Sequence, residues 1–270
     1  MSDIIQLLPD SVANQIAAGE VIQRPASVVK ELLENALDAG ASIIRLDVRE
    51  AGRELIRVTD NGKGMSQSDA RMAFERHATS KIASFQDLFS LRTMGFRGEA
   101  LASIAAVAQV ELLTRRAEDE LGTRLTINGS EVGEVATVTS PQGCILCVKN
   151  LFYNVPARRK FLKSNHAEII NITDLVNKLA IGNPGVSIKY INNGKTIFET
   201  IGDSNLYNAI RMIYGKDTSD HLIKIDYQSS YYKIDGYIAN NNVYRSNRNN
   251  QLIFINGRYV KSPNIMNAIN

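Results

Sequence analysis

The chain has 270 residues, 44% hydrophobic and 22% charged, with two cysteines and no tryptophan. No apolar run approaches the roughly 18 residues that a bilayer crossing needs, and Met1-Ser2-Asp3-Ile4 lacks the basic and apolar regions of a secretory signal. Two cysteines three residues apart make no disulfide framework, which fits a globular protein of a reducing cytoplasm. The net charge of +3 is unevenly spread, −4 over residues 1–150 and +7 over residues 151–270. The basic second half points to an anionic partner such as nucleic acid, or to a mildly basic surface without one; charge alone does not choose.

Pro9 and Asp10 open a short helix closed by Gly19. Pro25 then starts a second helix that Gly40 stops. At 100° per residue, Val29, Leu32, Leu33, Ala36 and Leu37 share one arc, and Glu31, Glu34, Asn35 and Asp38 the other. The polar arc is either a solvated acidic face or a working one. Glu31 and Asn35 lie one turn apart, where a carboxylate base would stand beside a neutral oxygen ligand for a hard cation. Residues 44–48 and 55–59 alternate as two strands, antiparallel across Ala51-Gly52. The second ends on Asp60, followed by Asn61-Gly62-Lys63-Gly64. Such a turn presents a carboxylate that can accept a hydrogen bond from an amine such as the exocyclic amine of adenine. Asp-Asn-Gly is also ordinary turn chemistry.

Ser66 and Asp69 form a capping pair for a helix reaching about His77. The stretch 79–98 (Thr79, Ser80, Lys81, then Gly95-Phe96-Arg97-Gly98) reads as a loop able to close over a phosphate chain. Its two glycines precede a small-residue helix at 102–108, whose N-terminus favours anions. No Gly-x-x-x-x-Gly-Lys-[Ser/Thr] occurs, so the chain is not a P-loop protein. Strands follow near 109–115, 123–128, 134–139 and 144–149. Cys144 and Cys147 point to opposite strand faces and read as small buried residues, and the three histidines show no ligand spacing. Residues 152–161 form an aromatic and basic loop before a helix near 165–181. A hairpin turns on Asn193-Gly194. Asp203 or Ser204 caps a helix to about Tyr214. Strands near 221–227, 231–240 and 251–261 complete the chain, with an Asn-rich loop at 240–250. A domain boundary is expected near 202, giving units 1–202 and 203–270.

Glu31-x-x-x-Asn35, Asp60-x-Gly62-x-Gly64, Gly95-x-x-Gly98 and a late strand opening at Gly143 stand in the order of the Bergerat-type (GHKL) ATPases, which this chain resembles. Three longer strings narrow the resemblance to the MutL type of DNA mismatch repair protein. They are residues 13–22 with Arg24-Pro25, residues 95–101 with Ser103-Ile104, and Phe152-Tyr153-Asn154 with residues 156–161. The resemblance implies an α+β fold, a Bergerat-type α/β sandwich with a mixed, mostly antiparallel sheet and helices on one face. A truncated S5-like α/β domain would follow.

The same resemblance implies ATP and Mg²⁺ as ligands and a weak, Mg-dependent ATPase. Glu31 would be the general base and Asn35 the Mg²⁺ ligand. Asp60 would read adenine, and Gly64 would let the base approach. Thr79, Ser80, Lys81, Gly95, Phe96, Arg97 and Gly98 would cover the phosphates. Arg258, and with it Arg158 and Arg159, would face DNA. The implied partners are DNA, a MutS-type mismatch sensor and a second copy of the N-terminal region on ATP binding, with no membrane. Cys144 stands where the family usually has Thr, and no Asp-Val-Asn-Val-His-Pro-x-Lys segment precedes Asn270, so a fragment is expected. The alternative is an ATP-responsive binding module with negligible turnover.

Overall fold

The computed structural model describes residues 7–82, 84, 86–87, 93–95, 97–243 and 248–268. Helix α1 spans Asp10–Val21 and α2 Pro25–Asp38. Strands β1 (Ile43–Arg49) and β2 (Leu55–Asp60) follow, then α3 (Gln67–Met72), α4 (Ala100–Val107), β3 (Gln109–Arg115), β4 (Gly122–Asn128), β5 (Glu131–Val138) and β6 (Gly143–Lys149). The chain continues through α5 (Pro156–Phe161), α6 (Asn165–Gly182), β7 (Ser187–Asn192), β8 (Lys195–Glu199), α7 (Leu206–Tyr214) and α8 (Lys216–Ser219). It ends with β9 (Leu222–Gln228), β10 (Lys233–Ala239), β11 (Phe254–Ile255), β12 (Arg258–Tyr259) and α9 (Pro263–Ala268).

The first eight strands form one sheet in the order β5-β4-β3-β6-β2-β1-β7-β8. Every pairing is antiparallel except β1 with β7. The register explains which face is covered. Leu46 lies opposite Val58, Val58 opposite Leu146, Leu146 opposite Leu112, and Leu112 opposite Leu125. These side chains form one apolar row, fully or almost fully buried beneath the helices. Alternation sends the polar partners to the other face. There Arg45 and Arg57 flank Asp47 at 2.8 and 2.9 Å, and Arg124 and Lys149 flank Glu111 at 2.8 and 2.7 Å. Burial pushes the Asp47 carboxyl up, but the two arginines outweigh it and hold the group below the usual carboxylate range. The fold is therefore the expected mixed, mostly antiparallel sheet with a helical layer on one face.

Helix α2 lies in that layer with Val28, Val29, Leu32, Leu33 and Ala36 buried against the sheet and α6. Its end is sharply defined. Gly40 takes φ +73°, its N–H donates to Leu37 O, and the Ala41 N–H reaches back to Ala36 O. This is a Schellman ending, which the left-handed glycine permits.

Several elements differ from expectation. Helix α3 stops at Met72 rather than near His77, and irregular turns lead to a left-handed His77 at φ +62°. Residues 156–161 are helical, because Pro156 is well placed in a first turn. Asn205, not Asp203 or Ser204, caps α7, its Oδ1 accepting the Tyr207 and Asn208 N–H groups. The strand expected at 251–261 is a pair of two-residue strands about Asn256-Gly257, both left-handed. The β9–β10 and β11–β12 hairpins form two sheets separate from the eight-stranded one. Among the described residues no helix is long and apolar enough to cross a membrane.

Candidate functional site

Asp60 leaves β2 opposite Ile44 on one side and Cys144 on the other. Its carboxylate accepts the Gly62 N–H at 2.9 Å and a backbone N–H from Cys144. Burial raises its carboxyl, and those two donors offset the effect in part. Asn61 staples the same turn to β1, accepting the Ser42 and Ile43 N–H groups at 2.9 Å each.

Gly64 and Gly143 are backbone contacts. Gly64 has φ +68°, and a Cβ there would lie 2.0 Å from Arg115 O. At Gly143, φ is +106° and a Cβ would lie 2.0 Å from Asp60 O. Between them sits Thr114 of β3, fully buried. Its hydroxyl accepts the Met65 N–H at 2.9 Å and donates to Gly143 O at 3.0 Å, with Cys144 Sγ at 3.1 Å. Burial, and then the Asp60 charge, push the Cys144 thiol up to about 12, so it is a neutral thiol near pH 7. It can give its weak S–H to Thr114 Oγ1, which has lone pairs for both donors.

Thr114 was not among the expected site residues. Its signal was a hydroxyl on the otherwise apolar face of β3, in line with Val110 and Leu112. Thr114→Val should cost about 1–3 kcal/mol, because the Met65 N–H and Gly143 O lose their partner in a buried place. Urea unfolding of the variant checks this, and an unchanged midpoint would remove Thr114 from the role.

On α2, Glu31 and Asn35 lie on one face, as the helical period required. Lys30 Nζ lies 3.1 Å from Glu31 Oε1 and 3.0 Å from Glu34 Oε2. Asn35 Oδ1 accepts a hydrogen bond from Lys81 Nζ at 3.0 Å. The same ammonium lies 2.5 Å from Asp38 Oδ2. Asp38 also accepts the Met94 N–H at 2.8 Å and the Gly95 N–H at 3.2 Å. Both described ends of the 79–98 stretch are thus fastened to the last turn of α2. The stretch is also tied at its base, where a Cβ on Gly98 (φ +66°) would lie 2.4 Å from Ala78 O.

Thr79 Oγ1 accepts the Lys81 N–H at 3.1 Å, while Ser80 and Arg97 are exposed. Phe96 lies outside the described residues. Asn35 is a neutral oxygen donor already facing a cationic group. Among the described residues no cluster of three or more His, Cys, Asp or Glu could cage a metal ion. This donor set fits Mg²⁺, which takes few protein ligands and fills its remaining positions with water and phosphate oxygens. A cavity of about 270 Å³ opens beside the Lys30–Glu34 row of α2, lined by Glu34, Met94, Lys178, Arg258 and Tyr259 among others.

The basic residues are placed differently from one another. Arg258 is exposed on β12 and donates to the carbonyls of Thr93 and Met94. Arg159 is exposed on α5. The Arg158 guanidinium turns inward onto α1, donating to Gln15 O at 2.9 Å, in space left open by Gly19.

A family model described as histidine kinase-, DNA gyrase B-, and HSP90-like ATPase matches residues 23–152. A second, described as DNA mismatch repair protein, C-terminal domain, matches residues 210–270. The chain is 70% identical over 269 residues to a DNA mismatch repair protein MutL of Porphyromonas gingivalis, covering 100% of this chain and 43% of that protein. The MutL of Parabacteroides distasonis is 55% identical, with 100% and 44% covered. The chain thus spans less than half the length of these curated relatives.

Among solved structures, the Aquifex aeolicus MutL ATPase domain complexed with ADP superposes with a TM-score of 0.73 at 25% identity, over 92% of this chain and 87% of that one. The N-terminal domain of a DNA repair protein superposes with a TM-score of 0.79 at 25% identity, over 94% and 80%. Sheet order, the Asp60 turn and the two fastened ends of the 79–98 stretch are the setting in which these likenesses fall. The chain belongs to the MutL family of DNA mismatch repair proteins and carries that family's GHKL-type ATPase fold.

Proposed function

We propose that this chain binds ATP with Mg²⁺ between α2 and the Asp60 turn, and hydrolyses it slowly as the nucleotide-responsive part of a mismatch repair protein. The observation that carries the reading is Lys81. Its ammonium crosses from the 79–98 stretch to Asn35 and Asp38, bringing a donor suited to phosphate oxygens beside the Glu31–Asn35 face. The Aquifex relative is complexed with ADP, which supports a nucleotide as the ligand.

In this reading the Asp60 carboxylate accepts the exocyclic amine of adenine. The positions of Gly64 and Gly143 keep the surrounding turn close to the sheet. Asn35 would hold Mg²⁺ through Oδ1, and the bound ion would neutralise charge on the phosphate oxygens. Glu31 accepts the proton of the attacking water. Lys81, with the amides about Gly95 and Gly98, covers the phosphates. Residues 1–202 form the nucleotide unit and residues 203–270 belong to an S5-like unit. The eight-stranded sheet ends with β8, and the two family models fall on either side, which supports that division. Arg258 and Arg159, exposed in the basic half, are the DNA-facing candidates, whereas Arg158 must first leave α1. A MutS-type sensor, ATP-driven pairing of two copies and a cytoplasmic setting follow from the family.

A second reading, an ATP-responsive binding module with negligible turnover, is favoured by one contact. Glu31 is paired with Lys30 at 3.1 Å, which engages the carboxylate assigned as the base. Phosphate release with Mg-ATP, measured beside calorimetric nucleotide binding on one preparation, separates the two. Binding with turnover is expected. Binding alone supports the module, and a folded chain that binds no nucleotide overturns the site.

A further inference from the structure

Asp38 is in an unusual place for a carboxylate. It is the last residue of α2, at the negative end of the helix dipole, and its side chain is only 7% exposed. An acid there needs strong donors. Among the described residues its donors come from the 79–98 stretch: the Lys81 ammonium at 2.5 Å, the Met94 N–H at 2.8 Å and the Gly95 N–H at 3.2 Å. An ammonium with consecutive amides at a glycine is the donor set that proteins offer to phosphate oxygens. We propose that Asp38 is an internal stand-in for the nucleotide's phosphate, holding the phosphate-binding donors Lys81, Met94 and Gly95 until a nucleotide displaces it. The inference rests on the nucleotide reading above and names a competitor within that site.

Two features make the exchange obligatory. Each backbone N–H has one proton, so a phosphate that recruits Met94 or Gly95 must take that donor from Asp38. The Lys81 ammonium also occupies Asn35 Oδ1, the oxygen assigned to Mg²⁺. Two cations cannot share it at contact distance without strong repulsion. The Asp38–Lys81 pair therefore reproduces, within the chain, the alternation of charge that a metal-bound phosphate would bring. A site held closed by its own groups binds ligand more weakly, in proportion to the fraction of time it is open.

The test is calorimetric binding of ADP with Mg²⁺ to the wild-type chain and to Asp38→Asn, which keeps size and an acceptor oxygen but loses the charge. The variant should bind at least about fivefold more tightly. Affinity equal to or below wild type, in a variant that unfolds at the wild-type temperature, overturns the proposal. If the variant does not fold, the wild-type protein decides. The Met94 and Gly95 amide resonances should shift as Mg-ADP saturates the site, and resonances that stay put under saturation also overturn it. A wild-type chain that binds no ADP at all instead sinks the nucleotide reading, and this inference with it.

Discussion

Glu31→Ala should lower phosphate release by about 10²–10⁴-fold, the usual reach of a positioned general base, while leaving nucleotide affinity within a few-fold of wild type. The asymmetry comes from position. Glu31 lies one turn before Asn35, on the exposed side of a helix whose buried side is fully occupied by Val28, Val29, Leu32 and Leu33. Truncating it leaves no cavity, and it removes none of the groups assigned to adenine or to the phosphates. Its present partner, Lys30, keeps Glu34 at 3.0 Å. Single-turnover phosphate release beside calorimetry reads both quantities. Turnover that survives the change would move the base elsewhere, and affinity that falls in parallel would make Glu31 a binding group.

Gly64→Ala should destabilise the fold by about 3 kcal/mol or more and weaken nucleotide binding with it. Two costs combine. Alanine at φ +68° is strained. The new methyl would also lie 2.0 Å from Arg115 O and 2.5 Å from its carbonyl carbon. That carbonyl is backbone at the end of β3, tied through Arg115↔Gly143 pairing to β6, so it cannot swing aside as a side chain would. Relief must come from the turn itself, which would draw Met65 off Thr114 and shift Asp60. Chemical denaturation reads the first effect and calorimetry the second. A variant with wild-type stability would show that the close approach is not real.

Much of this is legible in the residues alone. The 100° period of residues 25–40 separates the buried and working faces of α2. Alternation in β1, β2 and β3 locates the sheet's two faces, and the Asp60-to-Gly64 spacing locates a turn. What escaped was set by partners distant in sequence. Asp38 sat in the polar arc of α2 without a role, because its donors at Met94 and Gly95 are visible only once the chain has folded back. Arg158 read as an exposed basic residue because nothing nearby announces that Gly19, far upstream, leaves it a niche. The helix at 156–161 was masked by its aromatic and basic composition. Asn205 outcompeted Asp203 as a cap through geometry, since its Oδ1 reaches two amides while Asp203 accepts the Asn205 N–H.

The parallel pairing of β1 with β7, the single one among the described residues, has a consequence for the nascent chain. One edge of β1 can be closed only after residues 50–186 have been made, since its partner begins at Ser187. At about 5–20 residues per second, that edge stays open on the ribosome for on the order of ten seconds. Strand β1 carries Arg45 and Arg49 on that open ribbon, flanking the buried Leu46 and Val48, and edge charges of this kind oppose pairing with a neighbouring polypeptide. The arginines would therefore guard solubility during synthesis, before Arg45 takes its place beside Asp47 in the finished sheet.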